Sequence, residues 1–325
     1  MGVPRSRLHA ERQARACPLH YADCVIAHHF SVDVEEYFQV SAFEARVARS
    51  EWERFESRLA GEVARLLELL ARHQARATAF VLGWVAERQP ELIRSIARAG
   101  HEIASHGWDH ARVTHQTPLQ FRESVRRTKD VLEDITGTPV VGFRAPSFSI
   151  VPGREWALDI LIEEGYRYDS SLFPVRRPGY GYPNGSPDPY WLGRPAGRLA
   201  EVPPTTLHWW GLRLPAAGGA YFRLLPYGVV RAALRRCERR GVPGTFYIHP
   251  WELDPAQPRL DVSWPTRVRH YGGLRRTAER LQWLLAEFRF TAIGDTVAAL
   301  SAAPATCPTR SVGTFSHRAP AGASA

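Results

Sequence analysis

The chain has 325 residues, 44% of them hydrophobic, enough for one large core with additions and too apolar for a disordered polymer. No run of about 20 apolar residues is present, so no membrane-spanning helix is expected; the four cysteines (Cys17, Cys24, Cys237, Cys307) form no CxxC pair, so no disulfide framework is expected either. The net charge is +9; the positive charge is almost all arginine, with Lys129 the sole lysine, and no nucleic-acid recognition motif accompanies it. Such a charge suits an anionic polymer or a membrane surface, although arginine-rich composition explains it equally well.

Residues 1–24 read as a flexible N-terminal arm. Order is expected to begin with Val25–Asp33, an apolar run ending in acidic residues. Residues 57–73 place Leu59, Val63, Leu66, Leu67 and Leu70 at helical spacing, and Ala77–Leu82 reads as a buried strand. A helix from Pro90 ends before Gly100, with proline in its first turn and glycine beyond its end. His101–Ser105 is the next strand. Residues 118–135 form a helix with Phe121, Val125, Leu132 and Ile135 inward. Val140–Phe143 follows as a strand, Arg154–Glu164 as a helix and Tyr166–Asp169 as a strand. Alternation on this scale implies a parallel sheet or barrel.

Residues 174–198, rich in Pro, Gly and Tyr, read as one long loop. A helix at 227–240, a strand at Gly244–His249, a helix at 272–288 and a last strand at Phe290–Ile293 complete the ordered part. From Ala302 a disordered tail is expected.

Five polar motifs stand at the ends of these strands, where β/α folds place their chemistry. In Val32-Asp33-Val34-Glu35-Glu36, strand alternation puts Asp33 and Glu35 on one face. Two buried carboxylates there are costly unless a metal or an arginine compensates; an acidic loop would look the same. In His106-Gly107-Trp108-Asp109-His110, a helical turn would bring both rings to one ion, and two imidazoles plus a carboxylate are a common zinc or iron ligand set. Phe143-Arg144-Ala145-Pro146-Ser147 offers a guanidinium before a proline-fixed turn, able to clamp a carboxylate. Tyr168-Asp169-Ser170-Ser171 is a further polar strand exit. His249 ends an apolar strand, as a general acid or base would, and a hydrogen-bonded rim histidine would sit there too. Trp209, Trp210, Tyr221 and the tyrosines of 180–191 could stack on sugar rings, or the Trp pair could be core.

Taken in order, acidic pair, HxxxH, RxP, DxS and strand-end histidine resemble the NodB-type polysaccharide deacetylases (carbohydrate esterase family 4), over roughly residues 25–300. The pieces VDVEEYF, SHGWDH, GFRAPSFSI, YDSSLFP, GGAYFRLLPY and IHPWELDP look like the subfamily of exopolysaccharide loci linked to exosortase (PEP-CTERM) systems, whose own C-terminal portion would start near residue 200. The resemblance implies an α/β fold, a distorted, partly closed (β/α) barrel over 25–301. It implies hydrolysis of N-acetyl groups on an amino-sugar polysaccharide, with release of acetate.

Carried over residue by residue, Asp33 would be the catalytic base, and Glu35, His106 and His110 the ligands of a divalent metal, zinc first among candidates. The family's adjacent Asp-Asp is interrupted here by Val34, which leaves Glu36 as an alternative to Glu35. Arg144 would pair with the base, the Ser147 N–H would donate to the oxyanion, and His249 would be the general acid with Asp169 orienting it. Trp209, Trp210 and Tyr221 would contact substrate. The implied partners are an N-acetylated polysaccharide or lipid-linked oligosaccharide and an exopolysaccharide assembly at the inner membrane, with no nucleic acid; a cytoplasmic setting is expected separately, from the lack of a signal-peptide-like apolar stretch. The alternatives are hydrolysis of a non-sugar amide or cyclic imide, or sugar binding without catalysis.

Overall fold

The computed structural model describes residues 26–302 and 309–311; the expected N-terminal arm and most of the expected tail lie outside them. The first strand, β1 (Ala27–Val34), is buried along nearly its whole length and pairs in parallel with β2 (Thr78–Val81) on one side and β10 (Thr245–Ile248) on the other. The sheet continues through β3 (Glu102–Ser105), β4 (Gly142–Phe143) and β5 (Tyr168–Asp169), all parallel. A strand buried on both faces reads as a continuous apolar run, which is why these segments were legible. Helices at Leu59–Arg72, Pro90–Arg98, Pro118–Thr136 and Trp156–Glu163 connect them. The third is fixed at both ends: Thr117 and Gln120 form a capping box, Pro118 opens the first turn, and Gly137 ends it in the left-handed conformation.

The barrel closes only in part. Beyond β5 the sheet runs on through β7 (Gly197–Glu201) and its antiparallel partner β6 (Tyr190–Arg194), away from β10. The gap between β5 and β10 is crossed by irregular backbone: Val202 N donates to Asp169 O (2.9 Å) and Thr205 N to Thr245 O (3.1 Å). The long loop expected over 174–198 is therefore shorter, because Tyr190–Arg194 pairs across a tight turn with Gly197–Glu201. A hairpin of β8 (Thr206–Trp209) and β9 (Leu212–Pro215) and a helix at Gly219–Leu224 follow.

The helix expected over 272–288 starts only at Thr277 (Thr277–Glu287), and Gly272-Gly273 separates it from a preceding helix, Trp264–Tyr271, outside the expected span. The last core strand, β11 (Arg289–Thr291), pairs with the start of β1, and a helix at Ile293–Ala302 packs after it. Within the expected tail, β12 (Thr309–Ser311) pairs in parallel with β6, so that stretch is strand. Among the described residues no helix is long and apolar enough to cross a membrane.

One inward position of the first helix is unusual. Glu62 is buried among Leu59, Val63 and Leu66, and neither carboxylate oxygen has a hydrogen-bond partner among the described residues. Burial, reinforced by Glu36 and Asp254, raises its pKa from 4.5 to about 8. The folded chain thus keeps a proton that the unfolded chain releases. This contribution favours folding most below pH about 4.5 and is lost as pH rises toward about 8. Glu62→Gln is expected to flatten that decline in denaturant titrations across the window; an unchanged slope would show that Glu62 is already ionised when folded.

Candidate active site

The strand registers bring the polar motifs to one rim. Asp33 lies opposite Phe80, Val81 opposite Ser105, Ser105 opposite Phe143, Phe143 opposite Asp169, and Val32 opposite Ile248. The residues that follow each position open together around a cavity of about 280 Å³, lined by Asp33, Glu35, His106, His110, Ser147 and His249 among others.

Asp33 is held by Arg144. The guanidinium is fully buried and donates to Asp33 Oδ1 (2.7 Å), Ser31 Oγ (2.9 Å), Ser170 Oγ (2.9 Å) and Ser170 O (3.2 Å). Its face lies 4.1 Å from the Phe80 ring centroid. Ordered by so many partners, it fixes the carboxylate's orientation as well as balancing its charge.

Glu35, His106 and His110, all buried, bring one donor atom each to within 4.8 Å of one another. The segment after β3 is not the helical turn that the spacing suggests. Gly107 and His110 both adopt positive φ (75° and 56°), and the two rings end 5.5 Å apart by this irregular path. His106 Nδ1–H donates to Arg144 O (2.8 Å), which leaves Nε2 as its free donor atom.

His110 Nε2 is 2.9 Å from Glu35 Oε2, yet that oxygen accepts no hydrogen bond of proper geometry. Trp251 Nε1–H donates to Glu35 Oε1 (3.3 Å). Burial alone would raise Glu35, but His110, with His249 and His106 behind it, outweighs burial and holds the acid at about 2. Burial lowers His106 to about 4, so its imidazole is neutral, the form that ligates. An ionised carboxylate with an orphaned oxygen beside two inward imidazoles fits a divalent cation. Glu36 faces elsewhere, accepting from Ser57 Oγ and Arg58 N.

His249 follows β10 and donates from Nδ1 to Glu252 Oε1 (2.7 Å), leaving Nε2 3.8 Å from Asp33 Oδ2 and 3.7 Å from Glu35 Oε1. Burial would lower His249. The Glu252 bond and the charges of Glu35, Glu252 and Asp33 overcome it and raise the ring to about 9. Glu252 is itself anchored by Arg223, whose guanidinium also donates to the carbonyls of Arg269 (2.9 Å), His270 (2.8 Å) and Gly272 (2.5 Å). The His249 ring stacks on Trp251 (5.0 Å, 18°), and Trp251 stacks on His270 (4.2 Å, 16°).

The orienting partner of His249 is thus Glu252 and not Asp169. Asp169 accepts from Ser171 Oγ (2.5 Å) and Ser171 N (3.2 Å), and Ser171 Oγ in turn accepts from Ala145 N (2.7 Å). Its carboxyl therefore braces the turn after Arg144. A glutamate three residues after His249, at the spacing of a capping box, was the signal for the true partner.

Ser147 sits in that turn at φ 55°, lines the cavity and shares a hydrogen bond with Ser41 Oγ (2.8 Å). Tyr221 reaches the cavity only through Tyr180, their hydroxyls 2.7 Å apart. Trp209 and Trp210 are not core: they are 60% and 88% exposed at the β8–β9 hairpin and outside the cavity lining.

Residues 55–158 match the polysaccharide deacetylase family model, and residues 170–298 match a domain of unknown function (DUF3473). His106, His110 and Arg144 fall in the first match and Arg223, His249 and Glu252 in the second, while Asp33 and Glu35 precede both. The chain is similar to the peptidoglycan deacetylase of Helicobacter pylori, at 32% identity over 117 residues, 35% of this chain and 38% of the relative. It therefore spans well under half the length of that relative. Its fold is that of a Mycobacterium smegmatis protein assigned as a polysaccharide deacetylase (TM-score 0.60, 21% identity, 90% of this chain and 98% of the other). An allantoinase shares it as well (TM-score 0.60, 17% identity, 95% and 100%). Over residues 55–158 the chain is thus similar to polysaccharide deacetylases.

Proposed function

We propose that this chain is a metal-dependent N-deacetylase that hydrolyses acetamido groups of an amino-sugar glycan and releases acetate. The observation that carries the reading is the placement of two different proton-handling groups, Asp33 and His249, on one cavity beside the Glu35–His106–His110 donor set.

Held by those three residues, a divalent metal, zinc by the chemistry of its nitrogen and oxygen donors, would supply Lewis acidity toward the acetyl carbonyl and make bound water acidic. Asp33, oriented by Arg144, receives the proton of the attacking water as the new C–O bond forms. The Ser147 N–H donates to the oxyanion, a kind of contact worth about 2.7–4 kcal/mol where measured in other enzymes. His249, protonated at neutral pH and steered by Glu252, delivers a proton from Nε2 to the nitrogen as the C–N bond breaks. Asp169 acts through the turn that it braces.

The aromatic rim, Tyr180 at the cavity with Tyr221 behind it and Trp209 and Trp210 beyond, offers flat faces to sugar rings. The motif resemblance supports an exopolysaccharide or its lipid-linked precursor, assembled at the cytoplasmic face of the inner membrane, as the glycan.

The test is acetate release from N-acetylglucosamine oligomers by metal-stripped and zinc-reconstituted protein compared directly. Release that depends on metal supports the reading. A stoichiometric metal with release only from cyclic imides would replace it with the amide or imide alternative, and neither metal nor release would leave sugar binding alone. His106→Ala and His110→Ala are each expected to weaken metal binding by at least about 100-fold in chelator competition, since outer contacts alone are worth about 10–100-fold. Normal metal content in both variants would remove the proposed centre.

A further inference from the structure

Three arginines line the cavity, and two of them are neutralised. Arg112 pairs with Glu44, and Arg223 with Glu252. The third, Arg269, is exposed on the helix Trp264–Tyr271 and has no acidic partner among the described residues. The lining's own carboxylates, Asp33 and Glu35, are committed to Arg144 and to the histidines.

Across the mouth, Arg177 and Tyr180 face each other over a tight turn whose Pro178 and Gly179 also line the cavity, with Gly179 at φ 78°. Arg177 lies 5.8 Å from the Tyr221 ring, and it too has no acidic partner among the described residues. Tyr180 lines the same cavity as Arg269, so two guanidiniums without an acidic partner flank one mouth. Nothing in the acetamido chemistry itself requires positive charge there, since the reaction turns an amide into acetate and an amine at the far end of the cavity, beside Asp33 and His249.

Resting on the deacetylase reading above, we propose that the cavity mouth is an anion subsite. Arg269, with Tyr180 and Arg177 beside it, receives a carboxylate or phosphate carried next to the acetamido sugar. The substrate class is then an anionic N-acetylated glycan: a uronic-acid-containing chain supplies the carboxylate, a lipid-linked precursor the diphosphate. Arginine suits this role because its planar fork meets either group with two parallel N–H donors.

Zinc-loaded protein would be assayed for acetate release from three probes: neutral N-acetylglucosamine oligomers, oligomers alternating N-acetylglucosamine with glucuronic acid, and an N-acetylglucosamine diphosphate ester. Binding of the same probes would be followed by calorimetry. The expected result is kcat/KM at least about tenfold higher for one anionic probe than for the neutral oligomer, the preference shrinking as salt is raised. Arg269→Gln should erase the preference and leave turnover of the neutral oligomer unchanged, with Arg177→Gln giving a smaller effect in the same direction. Which anionic probe wins identifies the source of the charge.

Equal turnover of all three probes, or an Arg269→Gln loss shared by the neutral oligomer, would overturn the subsite while the deacetylase reading stands. Arg269-dependent binding of an anionic probe without acetate release from any would keep the subsite and discard the reaction. Absence of both would overturn the subsite.

Discussion

Asp33→Asn is expected to lower kcat for acetate release by about 10²–10⁴-fold, the range in which a positioned acid or base contributes, while bound metal and thermal midpoint change little. The amide is the same size as the carboxylate and can still accept from Arg144, so the buried guanidinium keeps a partner at that 2.7 Å position. The metal donors are separate side chains, so metal content is the control. Activity at the wild-type level would remove Asp33 as the base, and loss of metal with loss of activity would make it a structural element of the centre.

The second large effect is expected at Glu252. Glu252→Gln keeps the shape but removes the charge that bonds His249 and balances Arg223. With that support gone, the His249 pKa falls from about 9, so the ring loses its proton at lower pH. A general acid works only while protonated; the alkaline limb of kcat is therefore expected to move to lower pH, with kcat at neutral pH reduced more than KM changes. Breaking a fully buried pair also costs about 3–5 kcal/mol of stability, so the profile would be taken well below the unfolding transition. Asp169→Asn is the contrast: it loosens the turn after Arg144 and should lower kcat without moving that limb. If Asp169→Asn moves the limb and Glu252→Gln does not, the roles assigned here are reversed.

Much of the chemistry was legible because β/α strands deliver their last residues to one rim, so motif order along the chain became proximity in space. Asp33, Glu35, His106, His110, Arg144 and His249 met for that reason. The partner of His249 was not legible as a long-range choice, since every strand exit ends in polar residues and local sequence does not say which will touch. The answer lay three residues away, in the proline-led turn His249–Glu252. HxxxH picks out two rings that do meet at the cavity, but left-handed Gly107 and His110, not a helical turn, bring them there. Residues 190–215 show no regular period in sequence because their strands are short and punctuated by Gly and Pro, so their pairing depends on tertiary neighbours.

One residue ties the centre together in a way that restricts how it can change. The Arg144 side chain steadies Asp33, its carbonyl steadies His106, and the turn it opens carries Ser147. The proposed base, metal ligand and oxyanion donor therefore share a single mechanical coordinate. A shift at the end of β4 would displace all three together, so the site cannot be retuned for a bulkier acyl group one function at a time. Change is left to the cavity mouth, where the side chains are not coupled to that coordinate.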